Sequence, residues 1–499
     1  MANRSDMLAK DGGQLLLLSV IFGIASLIFT ILVFLLPDAD QSALTAPLVC
    51  FSVIFTLTWC MLCARDCVDG KIDWFHPSIL LMMVYLAYYI FSGVWIWLYH
   101  DYDSIFVNLG GKPAFAVNAV FSLGFISIVA FGLGTRTKLA FSGKTIQKLS
   151  YRNDRFSRKW TRNLIGFFLV IGTAFKLYHL SLLGTLSFDV VRYLSPSAYL
   201  DLRINLSQFN IMLESMLDWA VLLAIFYYIV RYKETGNINI SWLILLILLI
   251  AVVLPLDYIV AAKRSAIIPL FLLPLIWYHY LIKRLTLAYA GTFFLVGLLA
   301  IIGLLMVRIV LPLLAQDLVA TDYIGESLPD MFAFYVDTGE WSTFDMIAAS
   351  VVHRDELLKQ AGGSIFGFLQ YSFSTLIVFI PRAIWADKPD YEDLIQVYFR
   401  VLVGGGGSGI APTIWGASFL FFHLVGLIIG MFVLGWLFKS IYAMFQPKQG
   451  RLFNVYMYSI FYWMAFQFLR FGTMGFILII FIQSMIVGVL TMLFLRRIR

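Results

Sequence analysis

Residues 14–36 read QLLLLSVIFGIASLIFTILVFLL, an apolar run without a single charged side chain. A helix of about 20 apolar residues spans the hydrocarbon core of a bilayer, so this run predicts a membrane-spanning helix. It is too long for the apolar core of a cleaved signal peptide, and no small-residue cleavage pattern follows it. We therefore expect a signal anchor that stays in the protein.

Similar runs recur along the chain, which is 61% hydrophobic and 13% charged and has a mean hydropathy of +0.87. Globular domains are about half apolar and about a quarter charged, so this composition predicts an all-α polytopic membrane protein without a separate soluble domain. We expect roughly twelve spans. They cover residues 14–36, 43–63, 77–99, 114–135, 163–184, 211–230, 241–259, 265–282, 286–310, 413–438, 452–470 and 472–495.

The positions of the basic residues orient these spans. Segment 136–162 carries nine Lys or Arg and one acid, Asp154, which places it on the cytoplasmic side. With about twelve spans, both termini are then cytoplasmic. The net charge of +7 comes from short basic loops and does not indicate nucleic-acid binding. The other basic loops fall on the same side: 231–233, 283–284, 439–451 and 496–499.

Three regions follow from this topology. Residues 1–312 hold nine spans and a small outer loop at 185–210, residues 313–412 form a long outer loop, and residues 413–499 hold the last three spans. A loop as long as 313–412 is rarely a mere connector. Both outer loops are amphipathic, so we expect them to lie on the membrane surface.

Seven basic residues break the positive-inside pattern by falling on the outer side. Desolvating such a charge costs a few kcal/mol, so it needs a partner. In one interpretation, each pairs with an outer acid or extends to the lipid headgroups. Alternatively, together they line a cationic cavity, where the arginine fork suits a lipid-linked pyrophosphate. The seven are Arg192, Arg203, Lys263, Arg264, Arg308, Arg382 and Arg470.

Glycosyl transfer needs a base for the acceptor hydroxyl or strong stabilisation of the leaving group. In the long loop, His353, Asp387 and Glu340 are the candidates for that base. A lone histidine in a loop is more often a surface residue than a catalyst. We therefore do not prefer His353 over Asp387 or Glu340 as the base. The remaining histidines lack metal-ligand spacing, and we expect neither a metal nor a cofactor. The glycine-rich run 404–409 lacks the lysine of a phosphate-binding loop and is interpreted as a hinge.

Four short segments carry a resemblance to a known family. They are 262–265 (AKRS), 380–389 (IPRAIWADKP) followed by 411–413 (APT), 469–472 (LRFG) and 73–77 (DWFHP). With the layout of the spans, they resemble the bacterial oligosaccharide repeat-unit polymerases, also called O-antigen or Wzy-type polymerases. The family often has Gly-Glu after its Pro-Thr pair, whereas this chain continues Ile414-Trp415-Gly416, so no catalytic acid is assigned there.

The resemblance implies a GT-C-like membrane glycosyltransferase in the bacterial inner membrane, with its active site facing the periplasm. The growing glycan would move from undecaprenyl pyrophosphate to the non-reducing end of a new lipid-linked repeat unit, and a chain-length regulator would be a partner. By the same resemblance, Arg264, Arg382 and Arg470 would hold the pyrophosphates, with Lys263, Arg308 and Lys388 as neighbours.

Other functions stay open at this point. An O-antigen ligase uses the same donor but transfers the glycan to lipid A core. A transporter of lipid-linked sugars would show paired repeats with interrupted helices, which the sequence lacks. A purely structural membrane protein leaves the outward cations unexplained. The product would be O antigen, capsule or exopolysaccharide.

Overall fold

The computed structural model describes residues 21–35, 42–64, 72–91, 93–94, 113–137, 158–182, 213–237, 239–261, 264–286, 343–378, 394–403 and 413–472, with the isolated positions 289, 291–292 and 385. Within these ranges nearly every residue is helical and no strand forms, which confirms the predicted all-α class.

The described helices follow the apolar runs of the sequence. Most begin and end within a few residues of a predicted span, because an apolar run can bury its backbone polar groups only as a helix. In chain order they are α1 (Ile21–Leu35), α2 (Ser42–Ala64), α3 (Pro77–Tyr85), α4 (Pro113–Thr135), α5 (Arg158–Leu182), α6 (Met216–Thr235), α7 (Ile240–Ala261), α8 (Arg264–Leu281), α9 (Thr343–Val352), α10 (Arg354–Gln360), α11 (Ile365–Val378), α12 (Leu394–Val403), α13 (Thr413–Phe445) and α14 (Leu452–Phe471).

Among the described residues, three helices are long and apolar enough to cross a membrane: Ala43–Met61, Ala114–Thr135 and Thr413–Gln449. This is the character of a membrane-embedded helical protein. The predicted spans 286–310 and 472–495 lie almost entirely outside the described residues, so the total of twelve stays a prediction. Four further helices are apolar but shorter in the described ranges: Ile21–Leu35, Pro77–Ile90, Ile240–Ala251 and Ile268–Leu281.

Helices α4 and α13 pack with their backbones in contact. A Cβ atom at Gly134 would overlap the carbonyl oxygen of Phe432, and one at Gly435 would overlap that of Phe131. Small residues permit this close approach. In a membrane the lipid tails are as apolar as the helices, so the hydrophobic effect does not drive helix association, and close van der Waals packing stabilises the pair instead.

Two lysines mark one end of the bundle, which we call the basic end. Lys439 donates a hydrogen bond to the carbonyl of Thr137 over 2.5 Å, and Lys233 donates one to the carbonyl of Gly450 over 3.0 Å. These four residues come from segments that the charge pattern predicts to share the cytoplasmic side. The structure therefore brings together helix ends that were predicted to lie together.

The opposite end, which we call the far end, is marked by aromatic contacts. The ring of Phe34 lies 6.0 Å from the ring of Phe115 and 6.0 Å from the ring of Phe419. The last turn of α1, the first turn of α4 and the second turn of α13 therefore lie at one level.

The apolar interior consists of two clusters that share α14. The first is built mainly on α2, α3, α4, α9 and α13, and the second on α5, α6 and α8. Tyr458 and Tyr462 of α14 belong to the first cluster, and Tyr456 and Trp463 belong to the second. Helix α14 therefore joins the two groups of helices, together with α8, whose Ile276 lies in the first cluster.

The described part of the 313–412 region is helical, and its helices occupy different environments. Ile365 and Phe366 of α11 are exposed, in keeping with the expected surface location. Helix α9 departs from that expectation, because Phe344 and Ile347 are almost fully buried in the first cluster. Apart from Asp345 in its first turn, its residues are apolar or small. Gly416 of α13 lies against Ile347. Part of the region is thus packed into the bundle.

Candidate functional site

Two of the segments that carry the resemblance meet at the far end. Gly472 caps the C-terminus of α14 with a φ of 73°, and a Cβ atom there would overlap the carbonyl oxygen of Thr413. Thr413 is the first residue of α13 and is fully buried. Segments 411–413 and 469–472, which are far apart in the chain, therefore touch through their backbones.

Arg470 lies in the last turn of α14, two residues before this contact, and is only 7% exposed. A cation in the last turn of a helix is stabilised by the helix dipole. A guanidinium so withdrawn from water must also be compensated by polar partners. Of the predicted phosphate-binding residues, Arg470 is the one whose side chain lies within the described part of the structure.

Helix α8 runs antiparallel to α14, which places the start of α8 at the far end. The carbonyl of Tyr280, in the last turn of α8, lies close to Gly450 at the basic end. Farther from that end, Trp277 Nε1 of α8 donates a 2.7 Å hydrogen bond to Ser459 Oγ of α14. At about 1.5 Å per residue, the backbone of Arg264 lies about 20 Å, and that of Arg470 about 16 Å, from this bond toward the far end. The two arginines are thus within about one helical turn of the same level.

His353 links α9 to α10. Its N–H donates to the carbonyl of Ala349 over 2.8 Å, and its own carbonyl accepts from the N–H of Leu357 over 3.0 Å. The side chain is half-buried. The structure thus gives His353 a role in joining two helices, and its proposed role as a base stays a prediction. The side chain of Arg264 and the following predicted site residues lie outside the described residues: Arg192, Arg203, Lys263, Arg308, Glu340, Arg382, Asp387 and Lys388.

A second feature of the far end was missed by the sequence analysis, which treated 413–438 as an uninterrupted span. Helix α13 is kinked at His423, whose φ of 58° and ψ of −165° are not helical. One turn earlier, the carbonyl of Phe419 accepts a 3.4 Å hydrogen bond from Nε of Arg354. The exposed His423 ring lies 4.9 Å from the Phe419 ring. An arginine from α10 therefore supports the turn that precedes the kink.

At the basic end, a buried carboxylate collects a set of polar groups. The hydroxyl of Tyr280 donates to Asp73 Oδ1 over 2.8 Å, and the hydroxyl of Tyr442 donates to Oδ2. His279 Nε2 lies 3.5 Å from Oδ1, and Lys448 Nζ lies 3.8 Å from Oδ2. We call these five residues the Asp73 centre. They come from α8, α13, the turn after α13 and the segment before α3, so the centre fastens these elements to one another.

The protonation states in the Asp73 centre follow from its hydrogen bonds. Burial by itself would raise the pKa of Asp73, but the hydrogen bonds from His279 and Tyr442 outweigh it and hold the pKa well below its ordinary value. The N–H of Leu285 donates to His279 Nδ1 over 3.1 Å, so Nε2 is the nitrogen that carries a proton toward Asp73. Asp73 is therefore a permanent anion whose oxygens are occupied, which suits a structural clamp and not a proton donor.

A buried ion pair joins α5 to the residues before α6. Lys176 Nζ lies 2.5 Å from Glu214 Oε1, and the two residues are 1% and 6% exposed. The sequence analysis counted 163–184 as an apolar span and did not use Lys176. A lysine inside such a span is itself an indication of a buried partner.

In the described ranges, no group of three or more histidine, cysteine, aspartate or glutamate side chains is placed to hold a metal ion. No family model matches this sequence, and no curated protein or solved structure is detectably similar to it.

Proposed function

We propose that this chain is a membrane glycosyltransferase that polymerises lipid-linked oligosaccharide repeat units at the outer face of the bacterial inner membrane. The growing glycan moves from undecaprenyl pyrophosphate to the non-reducing end of a new lipid-linked unit. Undecaprenyl pyrophosphate leaves, and no nucleotide sugar takes part.

The observation that carries this proposal is the contact of two motif segments at the far end, while a third, 73–77, lies at the basic end. The Thr413–Gly472 backbone contact joins two of the segments, and α8 begins with Arg264 near the level of the buried Arg470. Negative charge develops on the pyrophosphate as the glycosidic bond breaks. Guanidinium groups fixed near that position would lower the barrier, because their orientation needs no reorganisation during the reaction.

The test is a reaction of the purified protein in detergent with lipid-linked repeat units extracted from the membranes of the source organism. We expect a ladder of glycan lengths on a gel. Arg264→Ala and Arg470→Ala should each reduce the rate about 100-fold, as removal of one charge-stabilising donor does in other enzymes. The matched control is Arg162→Ala, an exposed arginine of α5 outside the far end, which should leave the rate unchanged.

The alternatives give different products in the same assay. Transfer of the glycan to added lipid A core, without a ladder, would identify an O-antigen ligase. Absence of any transfer, together with movement of the lipid-linked sugar across liposome membranes, would replace the enzyme with a transporter. Full activity in both far-end arginine variants would refute the pyrophosphate site.

A further inference from the structure

We propose that a groove between the end of α6 and the start of α7 binds the headgroup of an anionic phospholipid from the cytoplasmic leaflet. The groove lies at the basic end of the bundle, beside the last turn of α6 that carries Lys233. This inference goes beyond the transferase function proposed above and does not depend on it.

The first step of the argument is the groove itself, which has about 300 Å³ of space, part of it open to the surroundings. Gly236 ends α6 with a φ of 66°, and the side chain of Asn239 accepts a 3.2 Å hydrogen bond from the N–H of Trp242 at the start of α7. The ring of Trp242 packs 5.6 Å from the ring of Tyr227 on α6. Both walls are thus held by local contacts. The lining is aromatic and polar and includes Tyr227, Tyr228, Arg231, Tyr232, Asn239 and Trp242.

The second step is the charge of the groove. Arg231 is the charged residue of the lining, and it is half-buried. Within the described ranges, no carboxylate forms an ion pair with Arg231. Glu234, the acid nearest to it in sequence, is exposed and does not line the groove. The dipoles of α6 and α7 oppose each other at this turn and add little net charge. The groove is therefore electropositive because of Arg231, whose planar fork suits a phosphate group.

The third step identifies the phosphate as that of a lipid. Beyond Trp242, α7 is apolar, and Ile244, Leu245 and Leu248 are each more than half exposed. Such a surface on a membrane helix contacts acyl chains, and tryptophan and tyrosine at the end of a span lie at the level of the headgroups. A phospholipid can thus bring its phosphate to Arg231 while its chains contact α7. The basic end faces the cytoplasmic leaflet, where basic pockets between helices bind anionic headgroups.

The alternative is that Arg231 merely extends into the interface and attracts any headgroup. A lysine would attract headgroups equally well, because it carries the same charge on a long flexible stem. Only arginine binds a phosphate through two parallel hydrogen bonds. The substitution Arg231→Lys therefore separates a specific site from general attraction.

The test is native mass spectrometry of the full-length protein in detergent, titrated with dioleoyl phosphatidylglycerol or dioleoyl phosphatidylcholine. We expect one phosphatidylglycerol to stay bound per chain and to bind more tightly than phosphatidylcholine. Arg231→Gln should raise the Kd for phosphatidylglycerol about tenfold or more, and Arg231→Lys nearly as much. The matched control is Arg162→Gln, at an exposed arginine near the start of α5 that does not line the groove. It should leave the Kd unchanged.

A second variant keeps the test decisive if Arg231→Gln does not fold. Trp242→Phe retains a ring that can pack on Tyr227 but removes the indole N–H from the lining, so it should weaken phosphatidylglycerol binding severalfold. Phosphatidylglycerol should also raise the unfolding temperature of the wild-type protein more than that of either variant.

Three results would overturn the inference. Equal binding of the two lipids, or equal weakening by Arg231→Gln and Arg162→Gln, would show general attraction without a site. Wild-type affinity in Arg231→Lys or in Trp242→Phe would show that neither the arginine fork nor the groove holds the headgroup. Displacement of the lipid by millimolar inorganic phosphate would assign the groove to a soluble phosphate. None of these results bears on the ladder assay, so the proposed function is tested separately.

Discussion

A single carboxylate, Asp73, holds groups from three distant parts of the chain, so its removal tests the Asp73 centre directly. Asp73→Asn should destabilise the protein by about 2–3 kcal/mol, because hydrogen bonds to a charged group are stronger than neutral ones. Tyr442→Phe should cost about 1–2 kcal/mol, and the double variant less than the sum. The loss of stability in each variant is measured by thermal unfolding in detergent.

Tyr178→Phe, at a half-exposed residue, is the control and should have little effect on the unfolding temperature. Equal values for Tyr442→Phe and the control would contradict the role of the centre.

Protonation of His76 should make the free energy of unfolding depend on pH. Its Nδ1 accepts a 3.2 Å hydrogen bond from the N–H of Ser78 and caps α3. Burial lowers the pKa of His76 to about 4, although the charge of Asp73 opposes the shift. Below about pH 6.5 the unfolded chain therefore binds a proton that the folded chain does not, and folding stability falls with decreasing pH.

We expect the free energy of unfolding to fall by about 1 kcal/mol between pH 7.5 and pH 5.5. The loss is no larger because the His76 side chain is only half-buried, so solvent reduces the effect of the pKa shift. His76→Asn keeps a capping side chain and removes the titrating group, so its unfolding temperature should change less over that range. An identical pH dependence in both proteins would show that other groups control it.

At the scale of elements, the junction of α13 and α14 depends on Gly472. Gly472→Ala should cost about 3 kcal/mol or more, because the residue has a positive φ and its new methyl group would overlap the Thr413 carbonyl. Gly236→Ala is the matched control, since Gly236 has a φ of 66° but open space around it. Gly236→Ala should lower the free energy of unfolding by about 1 kcal/mol, because alanine is strained at a positive φ but its methyl group meets no other atom there. Similar losses in both variants, measured by thermal unfolding, would show that the junction tolerates the overlap.

The sequence predicted the position of helices better than their interruptions. Spans 43–63 and 114–135 correspond to α2 and α4 almost residue for residue, because hydropathy alone determines them. The predicted span 77–99 instead contains a π-helical turn at Leu86–Phe91. In that turn the ring of Tyr89 packs 4.9 Å from the ring of Trp415. Such a change depends on a partner distant in sequence, which periodicity does not reveal.

At the scale of the whole molecule, the two ends of the bundle should lie on opposite sides of the membrane. The positive-inside rule places the basic end in the cytoplasm. In a variant without the four native cysteines, a membrane-impermeant maleimide applied to intact cells with a permeabilised outer membrane should label Asp355→Cys, at the far end. It should label Gln449→Cys, at the basic end, only after the inner membrane is also opened. Both side chains are exposed. The reverse labelling would invert the topology.

The candidate site shows where sequence reasoning reached its limit. The choice of Arg470 came from its position on the outer side and from a short motif, and the structure adds its burial, two residues before the Gly472–Thr413 contact. The Asp73 centre joins residues 207 and 369 positions apart. Local patterns contain no record of such pairs, and the sequence analysis used Asp73 only as part of the 73–77 segment.

The shared position of α14 has a consequence for how the protein is made. This helix contributes to both apolar clusters, yet it follows the other thirteen described helices in the order of synthesis. The earlier helices enter the membrane while the groove that α14 will fill is still open. The Asp73 centre and Ile276 already connect α8 to the first group of helices, but the contacts of α14 with both clusters can form only after about residue 471 has left the ribosome and been inserted. Until then, quality-control proteases would meet two groups of helices that lack the α14 contacts between them, and a chain stalled before α14 should be degraded rather than accumulate.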